Sequence, residues 1–528
     1  MVSPSIREFY KGRTVLVTGG TGFMGKVLIE KLLYAVPEVK NIYILMRPKR
    51  GKSVMQRLED MQRLPVSAVF CARAIFERKL YMRPSAFKKL KVIQGDVLFE
   101  NFGLSSLEIE NLSNEISVLF HFAATLRLEA PLRDNVNMNT SGTLRTINVA
   151  KRFKNLVIFI HLSTAFCYPD CEVLEEKLVS FTLINFSSKN IVNTNIKYLK
   201  KLQSYKGLTN LTKDNNYLSE FLKLPEDLNQ CVYVQIYAPP VKPENVMKLI
   251  EWLDDKQLAL LTPSLLGLHP NCYTFSKRMA ESLVEQAYPD LPIVIARPSI
   301  VSPALKEPTP GWVDNLNGPV GVMLGAGKGV IRTMLCDATL HVQVIPVDTA
   351  INAILAIGMI EGTKKEKLVK PVQRYPSPTT WGEVLNCAKA YGRRYPLSWP
   401  LWYPNGDMTT NITLHEFRRI FYHLLPAYCI DLLLFLLGQK KFMVRIQDRI
   451  SQGLELLQYF TMRPWKFSCQ NYDSIQSKLN KEEQEIFNGD LTDVDRNKYM
   501  EQSFEGGRIF CFKEDPTKIT VNRVYHNL

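Results

Sequence analysis

The chain has 528 residues, of which 46% are hydrophobic, 10% aromatic and 22% charged. This composition supplies a sizeable core and excludes a collagen, a coiled coil and a largely disordered chain. The 66 Lys and Arg residues exceed the 51 Asp and Glu residues by 15, and this excess favours an anionic partner: a phosphorylated cofactor, a lipid surface or nucleic acid.

Short apolar runs alternate with helical patterns over the first 165 residues. Because the runs are almost continuously apolar, they predict parallel strands covered on both faces, and hence an α/β fold with a Rossmann-like doubly wound parallel sheet. Helices are predicted at 26–35 and 132–152. The predicted strands are 14–18, 41–46, 91–93, 118–122, 156–161 and, much later, 293–296.

A glycine-rich loop follows the first predicted strand, with the pattern T-G-x-x-G-x-x-G. Glycines between a strand and a helix let the backbone approach a pyrophosphate, which the helix N-terminus then binds. The alternative is a tight turn without a ligand. The predicted cofactor residues of this loop are Thr18, Gly19, Gly22, Phe23, Met24 and Gly25.

The end of the second strand indicates which dinucleotide binds. An NAD site usually has an acid there for the ribose 2′-hydroxyl, whereas Arg accommodates a 2′-phosphate. The chain instead has Arg47, followed by Lys49 and Arg50, so NADPH is the predicted cofactor. An exposed basic turn is the alternative explanation.

Further cofactor contacts are predicted along the carboxyl edge of the sheet. Asp96 is expected to accept a hydrogen bond from the adenine amino group, and Ala123 and Ala124 to pass behind the cofactor. The remaining predicted contacts are Val97, Pro298 and Lys277.

A candidate proton donor lies far downstream, in the Y-x-x-x-K sequence of Tyr273 and Lys277. The two side chains share one helix face, and the lysine ammonium is expected to lower the pKa of the phenol. Ser163 and Thr164 end the fifth predicted strand, at the edge where such sheets bind ligands. A hydroxyl there can bind the reacting oxygen beside Tyr273.

Two later segments depart from the strand–helix rhythm. Residues 178–236 are rich in Asn, Lys, Ser and Leu, and a surface insertion or mobile loop is favoured over a folded subdomain. From about residue 369 the strand pattern stops, which predicts a smaller, mainly helical C-terminal domain over 369–528 beside a reductase-like domain over 1–368. Residues 427–437 are apolar but too short to span a membrane and contain Asp431, which favours a buried or interfacial helix.

The ten cysteines contain no C-x-x-C pair, and no apolar signal segment begins the chain. These features favour a reducing, intracellular compartment with free thiols. The seven histidines also lack metal-ligand spacing, so no metal site is predicted.

The glycine loop, the hydroxyl residues after the fifth strand and Y-x-x-x-K together resemble the extended short-chain dehydrogenase/reductase superfamily. More narrowly, the chain resembles the alcohol-forming fatty acyl-CoA reductases over nearly its whole length except 178–236. The segments that carry this resemblance include HFAATLRLEAPLRDNV (121–136), HLSTAF (161–166), HPNCYTFSKRMAE (269–281), ARPSIVSP (296–303), KEPTPGWVDNLNGPVG (306–321) and LQYFTMRPWKF (457–467).

The resemblance implies catalytic roles for Tyr273, Lys277, Thr164 and its neighbour Ser163. It implies that NADPH reduces a long-chain fatty acyl-CoA to a fatty aldehyde and then to a primary alcohol. The same resemblance gives Asn139 a role that is either structural or in proton relay.

Partners and location are expected from the same resemblance. The chain is expected to associate with a membrane surface, at the cytosolic face of the peroxisome or endoplasmic reticulum, and a homodimer is compatible with it. Nucleic-acid binding is disfavoured, because the charge is present without a recognisable module. Two alternatives remain: another extended reductase or epimerase acting on a sterol or nucleotide sugar, and an NADP-binding scaffold without turnover.

Overall fold

A seven-stranded parallel sheet lies at the centre of the computed structural model. The structure describes residues 5–62, 84–169, 173–174, 181–183, 233–235, 241–288, 290–364, 371–373, 379–398 and 400–515.

The sheet has the order β13-β9-β5-β4-β1-β2-β3. The order reverses between β1 and β4, and the crevice at such a reversal is where open α/β sheets bind dinucleotides. Its strands are β1 (Thr14–Thr18), β2 (Asn41–Met46), β3 (Leu90–Gln94), β4 (Ile116–His121), β5 (Ile158–Leu162), β9 (Ile293–Arg297) and β13 (Pro371–Gln373). Short strands pair outside it: β6 (Val173–Leu174) with β15 (Lys466–Phe467), β7 (Phe181–Leu183) with β8 (Tyr233–Gln235), β10 (Ile300–Ser302) with β12 (Val344–Pro346), and β11 (Thr333–Leu335) with β14 (Asp407–Thr409).

Helices cover both faces of the sheet and form the C-terminal region. Those before residue 300 are α1 (Ile6–Tyr10), α2 (Phe23–Ala35), α3 (Val54–Gln62), α4 (Ser106–Glu115), α5 (Leu132–Asn135), α6 (Gly142–Ala150), α7 (Pro243–Trp252), α8 (Asp255–Leu266) and α9 (Cys272–Gln286). The later ones are α10 (Pro319–Gly327), α11 (Val347–Thr363), α12 (Trp381–Arg394), α13 (Ile412–Arg419), α14 (Leu425–Leu436), α15 (Met443–Thr461), α16 (Gln470–Gln476), α17 (Lys481–Ile486) and α18 (Arg496–Gly506). Single π-helical turns join α5 to α6 (Val136–Ser141) and α13 to α14 (Ile420–Leu424), and another follows α18 (Gly507–Cys511); shorter 3₁₀ turns are Pro84–Lys89 and Glu100–Gly103.

Alternate residues of each central strand enter two different cores. In β1, Val15 and Val17 pack with α2 and α11, whereas Leu16 packs on the other face with α4, α6 and α9. Both faces are therefore buried, which explains why these strands read as unbroken apolar runs.

The predicted strands are confirmed. From the third strand onward, the observed ends differ from the predicted ones by up to two residues. β1 and β2 begin and end where they were predicted. The expectation that strands stop after residue 369 was wrong, because β13 adds to the sheet edge beside β9. A three-residue edge strand held by backbone pairing leaves little trace in the sequence.

A separate core joins residues on both sides of position 368. Val320, Met323 and Val344 pack with Trp381, Leu385 and Phe504. The division at 368 stays a prediction. Most of the 178–236 segment lies outside the described residues, apart from the antiparallel pair of β7 and β8.

One helical run among the described residues is long and apolar enough, by length and composition, to cross a membrane. It covers Ile412–Leu436, and an 18-residue window within it has a mean hydropathy of 1.5 and is 17% buried. Residues 427–437 were expected to be too short to span a membrane, but they belong to a longer helical run. This run begins fifteen residues before 427, and its first half is less uniformly apolar than its second. Length and composition alone are weak evidence for a span.

Candidate active site

The loop between β1 and α2 leaves room for a phosphate. Gly19 has φ +73°, and a Cβ there would lie 2.6 Å from the backbone nitrogen of Ala123. A Cβ at Gly25 would lie 2.4 Å from the carbonyl oxygen of Gly19, so only glycine lets the loop pack against the helix. Helix α2 starts after Gly22 without a side-chain cap, which leaves N–H groups to bind a pyrophosphate. The loop therefore fits a dinucleotide.

A cavity of about 1270 Å³ begins at this loop and continues past the carboxyl edge of the sheet. It is lined by every predicted cofactor residue except Thr18. These are Gly19, Gly22, Phe23, Met24, Gly25, Arg47, Lys49, Asp96, Val97, Ala123, Ala124, Lys277 and Pro298.

Thr18 lies beneath the cavity, fully buried, so its assignment as a direct cofactor contact is not supported. Its hydroxyl is 2.8 Å from Nδ1 of His121 and accepts a hydrogen bond from the backbone N–H of Ala123. Thr18 therefore holds the ends of β1 and β4 together. His121 also contacts Thr143, and burial lowers its pKa to about 3, as expected for a neutral core histidine.

Two arginines lie at the end expected to hold the ribose of a dinucleotide. Arg47 forms an ion pair of 2.9 Å with Asp96. Arg57, on α3, donates to the hydroxyl of Thr21 over 3.3 Å and to the carbonyl of Arg47, and it lines the same cavity. Sequence reasoning missed Arg57 because nothing local marks it; an arginine on the first helix after an acid-free β2 is the signal that was available.

The candidate proton donor lies at the start of α9. The Asn271 side chain caps this helix by accepting from the N–H of Thr274 over 2.9 Å. Tyr273 and Lys277 line the cavity, as do Ser163 and Thr164 at the end of β5. The Thr164 side chain lies close enough to the Tyr273 hydroxyl to lower its pKa. The four predicted catalytic side chains therefore lie along one cavity.

The pKa of Tyr273 differs from the expectation that Lys277 lowers it. Burial raises the pKa of Tyr273, and the nearby Thr164 side chain only partly opposes this. Lys277 donates to the carbonyl of Leu162 over 2.8 Å, and burial lowers its pKa to about 8. The expected lowering of the phenol pKa by Lys277 was wrong for this structure, because burial dominates. Tyr273 is held protonated, the form that a proton donor requires.

A buried ion pair between Glu281 and Arg297 lies next to these catalytic side chains. Glu281 accepts two hydrogen bonds from Arg297, over 3.0 and 2.6 Å, and a third from the hydroxyl of Tyr168. The Ser163 side chain also helps to lower the pKa of Glu281. Sequence reasoning did not single out Glu281 or Arg297, although Glu281 continues the i, i+4 spacing of Tyr273 and Lys277 by one more turn.

The contacts of Cys167 and Asn139 favour structural roles over catalytic ones. Burial and the charge of Glu281 raise the pKa of Cys167 well above its usual value, so a thiolate nucleophile is disfavoured. The Asn139 amide donates to Ser276 over 2.9 Å and accepts from the N–H of Thr125 over 2.8 Å. These contacts favour a structural role for Asn139.

The far part of the cavity is apolar. One face of α15 lines it with Met443, Ile450, Leu457 and Phe460, and Phe460 meets Phe166 at 5.4 Å between ring centroids. Residues 315–318, within the segment PGWVDNLNGP, form another wall.

Two basic residues after α10, Lys328 and Arg332, differ in their position relative to the cavity. Lys328 lines the cavity. Arg332 does not, because its guanidinium is held between the rings of Trp402 and Tyr422, at 4.6 Å from each.

Comparisons with known proteins agree with this geometry. A nucleotide-binding family model described as male sterility protein matches residues 17–354, and a second model with the same description matches residues 422–514. Fatty acyl-CoA reductase 2 of Bos taurus is 31% identical over 514 residues, covering 97% of this chain and 87% of that relative. Fatty acyl-CoA reductase 1 of Gallus gallus is 30% identical over 526 residues, covering 99% and 89%.

Solved structures share the fold at low sequence identity. The reductase domain of a nonribosomal peptide synthetase from Mycobacterium tuberculosis has a TM-score of 0.56 and 15% identity, covering 96% of this chain and 93% of that one. The terminal reductase domain of the myxalamid pathway has a TM-score of 0.51 and 17% identity, covering 94% and 90%.

Proposed function

Because this chain belongs to the male sterility protein family, that of the fatty acyl-CoA reductases, we propose that it uses NADPH to reduce long-chain fatty acyl-CoA to primary fatty alcohol and coenzyme A. The observation that carries this proposal is a single cavity. It joins the phosphate-binding loop of β1 and α2, the hydroxyls of Tyr273 and Thr164, and the apolar face of α15. A dinucleotide and a greasy acyl chain can therefore meet at one phenol.

The preference for NADPH over NADH rests on charge. Arg47, Lys49 and Arg57 line the cavity at the ribose end, and the end of β2 carries no acid to accept a hydrogen bond from a 2′-hydroxyl. Guanidinium groups bind a phosphate through paired, charge-assisted hydrogen bonds. Asp96 already neutralises part of the charge of Arg47 through their ion pair. Arg57 supplies a second positive charge to bind the phosphate.

The reaction requires hydride at a thioester carbonyl carbon and stabilisation of the oxygen. A bound reduced nicotinamide supplies the hydride. The hydroxyls of Tyr273 and Thr164 donate hydrogen bonds to the developing oxyanion, and Tyr273 is protonated at neutral pH. The Tyr273 Oη then gives its proton to the oxygen, which yields a hemithioacetal.

A second reduction completes the proposed reaction. The hemithioacetal loses coenzyme A as the thiol and becomes an aldehyde. The same hydroxyls then bind the aldehyde oxygen, and Tyr273 protonates it to the alcohol. Each acyl-CoA thus consumes two hydrides and two protons. Lys277 lies one helical turn from Tyr273, where it can bind the cofactor ribose and help to return a proton to the phenol.

Product analysis tests the proposal. The purified chain is incubated with palmitoyl-CoA and either NADPH or NADH, and lipids and free thiol are measured. We expect fatty alcohol with NADPH, two NADPH oxidised per thiol released, and a loss of about 10²–10⁴ in kcat for Tyr273→Phe. The matched control, Tyr288→Phe, changes an α9-flanking tyrosine that does not line the cavity.

Other outcomes identify the alternatives. Free aldehyde at one NADPH per thiol would limit the reaction to one reduction. NADPH binding without acyl reduction, unaffected by Tyr273→Phe, would favour a scaffold, and turnover of a sterol or nucleotide sugar would favour another extended reductase. We further propose that the chain works at an intracellular membrane, which the exposed apolar run Ile412–Leu436 supports. The cytosolic face of the peroxisome or endoplasmic reticulum is proposed from the family alone.

A further inference from the structure

The run Ile412–Leu436 and the loop after it expose a continuous set of large apolar side chains. We call this surface the apolar platform and define it by residues 412–442. Leu436 and Leu437 are 70% and 73% exposed. Other members are Phe417, Phe421, Tyr428 and Leu432. An exposed apolar surface of this extent marks an interaction site.

The opposite side of the same run is tied to the protein by polar contacts at three places. Nε2 of His423 accepts from the backbone N–H groups of Arg332 and Thr333, over 2.9 and 3.3 Å. His415 lies 3.1 Å from the hydroxyl of Thr333. Asp431 is buried and accepts from the N–H groups that begin α15, including Met443 over 2.8 Å.

These contacts decide how the run can meet a bilayer. Its 25 residues extend about 37 Å at 1.5 Å per residue, enough to cross a hydrocarbon core. Crossing would draw His423 and Asp431 away from their backbone partners and into lipid, at a high cost for each polar group. A helix with one face bonded to the protein and the other apolar lies in the plane of the interface instead.

Positively charged side chains lie along one edge of the apolar platform. Between residues 438 and 450 the exposed charges are Lys440, Lys441, Arg445 and Arg449 against Asp448. The Lys441 ammonium lies 4.3 Å from the centre of the Phe435 ring, which places positive charge directly beside the apolar surface. This combination suits anionic lipid headgroups. A second copy of the chain would bring the same cations face to face, so self-association through this surface is disfavoured.

The active-site cavity reaches the edge of the platform. Phe442 and Ile446 line the cavity and are also exposed, 47% and 39%. From there Ile450, Leu457 and Phe460 continue the lining along one face of α15. Met443 to Phe460 is about 26 Å of helix, comparable to an extended long acyl chain, and it ends beside Phe166, two residues from Thr164.

We propose that the apolar platform inserts into one leaflet of an anionic membrane without crossing it, and that the cavity opens onto that leaflet between Phe442 and Ile446. The acyl chain enters from the lipid and the long-chain product returns to it, without exposure to water. The acyl route rests on the proposed function; the insertion does not.

Vesicle flotation tests the insertion without any turnover. The full chain is mixed with phosphatidylcholine vesicles with and without phosphatidylserine. We expect flotation that increases with phosphatidylserine, and a partition coefficient at least about a hundredfold lower for Leu432→Glu/Leu436→Glu. The control, Leu107→Glu/Leu260→Glu, adds the same charge to exposed leucines on α4 and α8 and should float like the wild type.

Three results would overturn the insertion. One is equal flotation of the platform variant and wild type. Another is a wild-type protein that stays in solution and forms a dimer, while the platform variant is a monomer. The third uses a cysteine placed at Thr413 or Gln439 in a variant whose exposed Cys429 is replaced by Ser. An in-plane helix keeps both positions outside preformed vesicles, so protection of one position from an impermeant thiol reagent added outside would contradict the insertion.

Substrate delivery separates the lipid route from the chemistry. Octanoyl-CoA without vesicles should be reduced equally by the platform variant and wild type. A long-chain aldehyde dissolved in vesicles should be reduced at least about tenfold more slowly by the variant. Equal rates on the vesicle substrate would refute the route, whereas a wild type that floats but reduces neither substrate would refute the proposed function alone.

Discussion

Replacing Glu281 with Gln tests whether the buried ion pair beneath the hydroxyl cluster stabilises both the fold and the catalytic charge. Glu281 and Arg297 are 2% and 0% exposed, and they form two hydrogen bonds of 3.0 and 2.6 Å. Burial by itself raises the pKa of Glu281, but Arg297 overcomes this and lowers it. The carboxylate is therefore charged at neutral pH. The Glu281→Gln variant would leave the Arg297 guanidinium buried without a counter-charge.

The expected loss is about 3–5 kcal/mol of unfolding free energy, the usual cost of removing one partner of a buried pair. For a unit of about 350 residues this lowers the melting temperature by roughly 4–7 °C. The pair supplies its stability above the unfolded pKa of glutamate and loses it as pH falls through the lower folded value, so the difference between variant and wild type should shrink in acid.

A second readout follows from the neighbouring lysine. The charge of Glu281 raises the pKa of Lys277, against the larger lowering by burial, to a net value of about 8. Without this charge Lys277 deprotonates at lower pH. We therefore expect the alkaline limb of the kcat profile of Glu281→Gln to move toward neutral pH, an effect that a purely structural role would not produce.

Thermal and urea unfolding measure the first effect, with exposed Glu110→Gln on α4 as the control that loses the same charge. The double variant Glu281→Leu/Arg297→Met should recover most of the stability, because it leaves no unpaired charge. A loss below about 1 kcal/mol for Glu281→Gln, with an unchanged alkaline limb, would refute the reasoning.

Three further predictions concern cavity residues. Arg57→Met should raise the KM for NADPH roughly tenfold or more and leave the KM for NADH within about twofold; an equal change for both in steady-state kinetics would contradict phosphate recognition. Lys277→Met should abolish activity yet stabilise the protein by about 3 kcal/mol at pH 7, since the lysine pKa falls from 10.5 to about 8 on folding. This penalty is fully present below the folded pKa and fades as the pH rises toward 10.5. Urea unfolding at pH 7 and 9.5 measures it, and no gain at pH 7 counts against it. Gly453→Phe should reduce kcat/KM for palmitoyl-CoA about 10–200-fold and spare octanoyl-CoA, because Gly453 lines the cavity and a Cβ there meets no atom within 4 Å; Gly453→Ala is the control, and equal losses on both substrates would argue against an acyl site.

Local patterns in the sequence predicted the parts of the fold that depend on local physics. β1 and β2 were assigned with their observed ends because unbroken apolar runs between glycines and polar residues leave few other structures. The phosphate-binding loop was equally accessible, since Gly19 and Gly25 leave space that any side chain would fill. Both features need only neighbours along the chain.

The tertiary structure decided what depends on distant residues. Arg57 reaches the loop of β1 and α2 only because α3 folds back on the sheet, and Glu281 meets Arg297 across the gap between α9 and β9. The raised pKa of Tyr273 likewise follows from burial, which the Y-x-x-x-K pattern does not contain.

The same division holds for the acyl site and the apolar platform. The apolar character of residues 427–437 was visible in the sequence, but not which of their neighbours would be covered. Packing bonds His423 and Asp431 to the protein, leaves the leucines outside, and brings α15 alongside Phe166, almost three hundred residues earlier in the chain. Burial and electrostatic environment arise from contacts between segments far apart in sequence, so they exist only once the chain has folded.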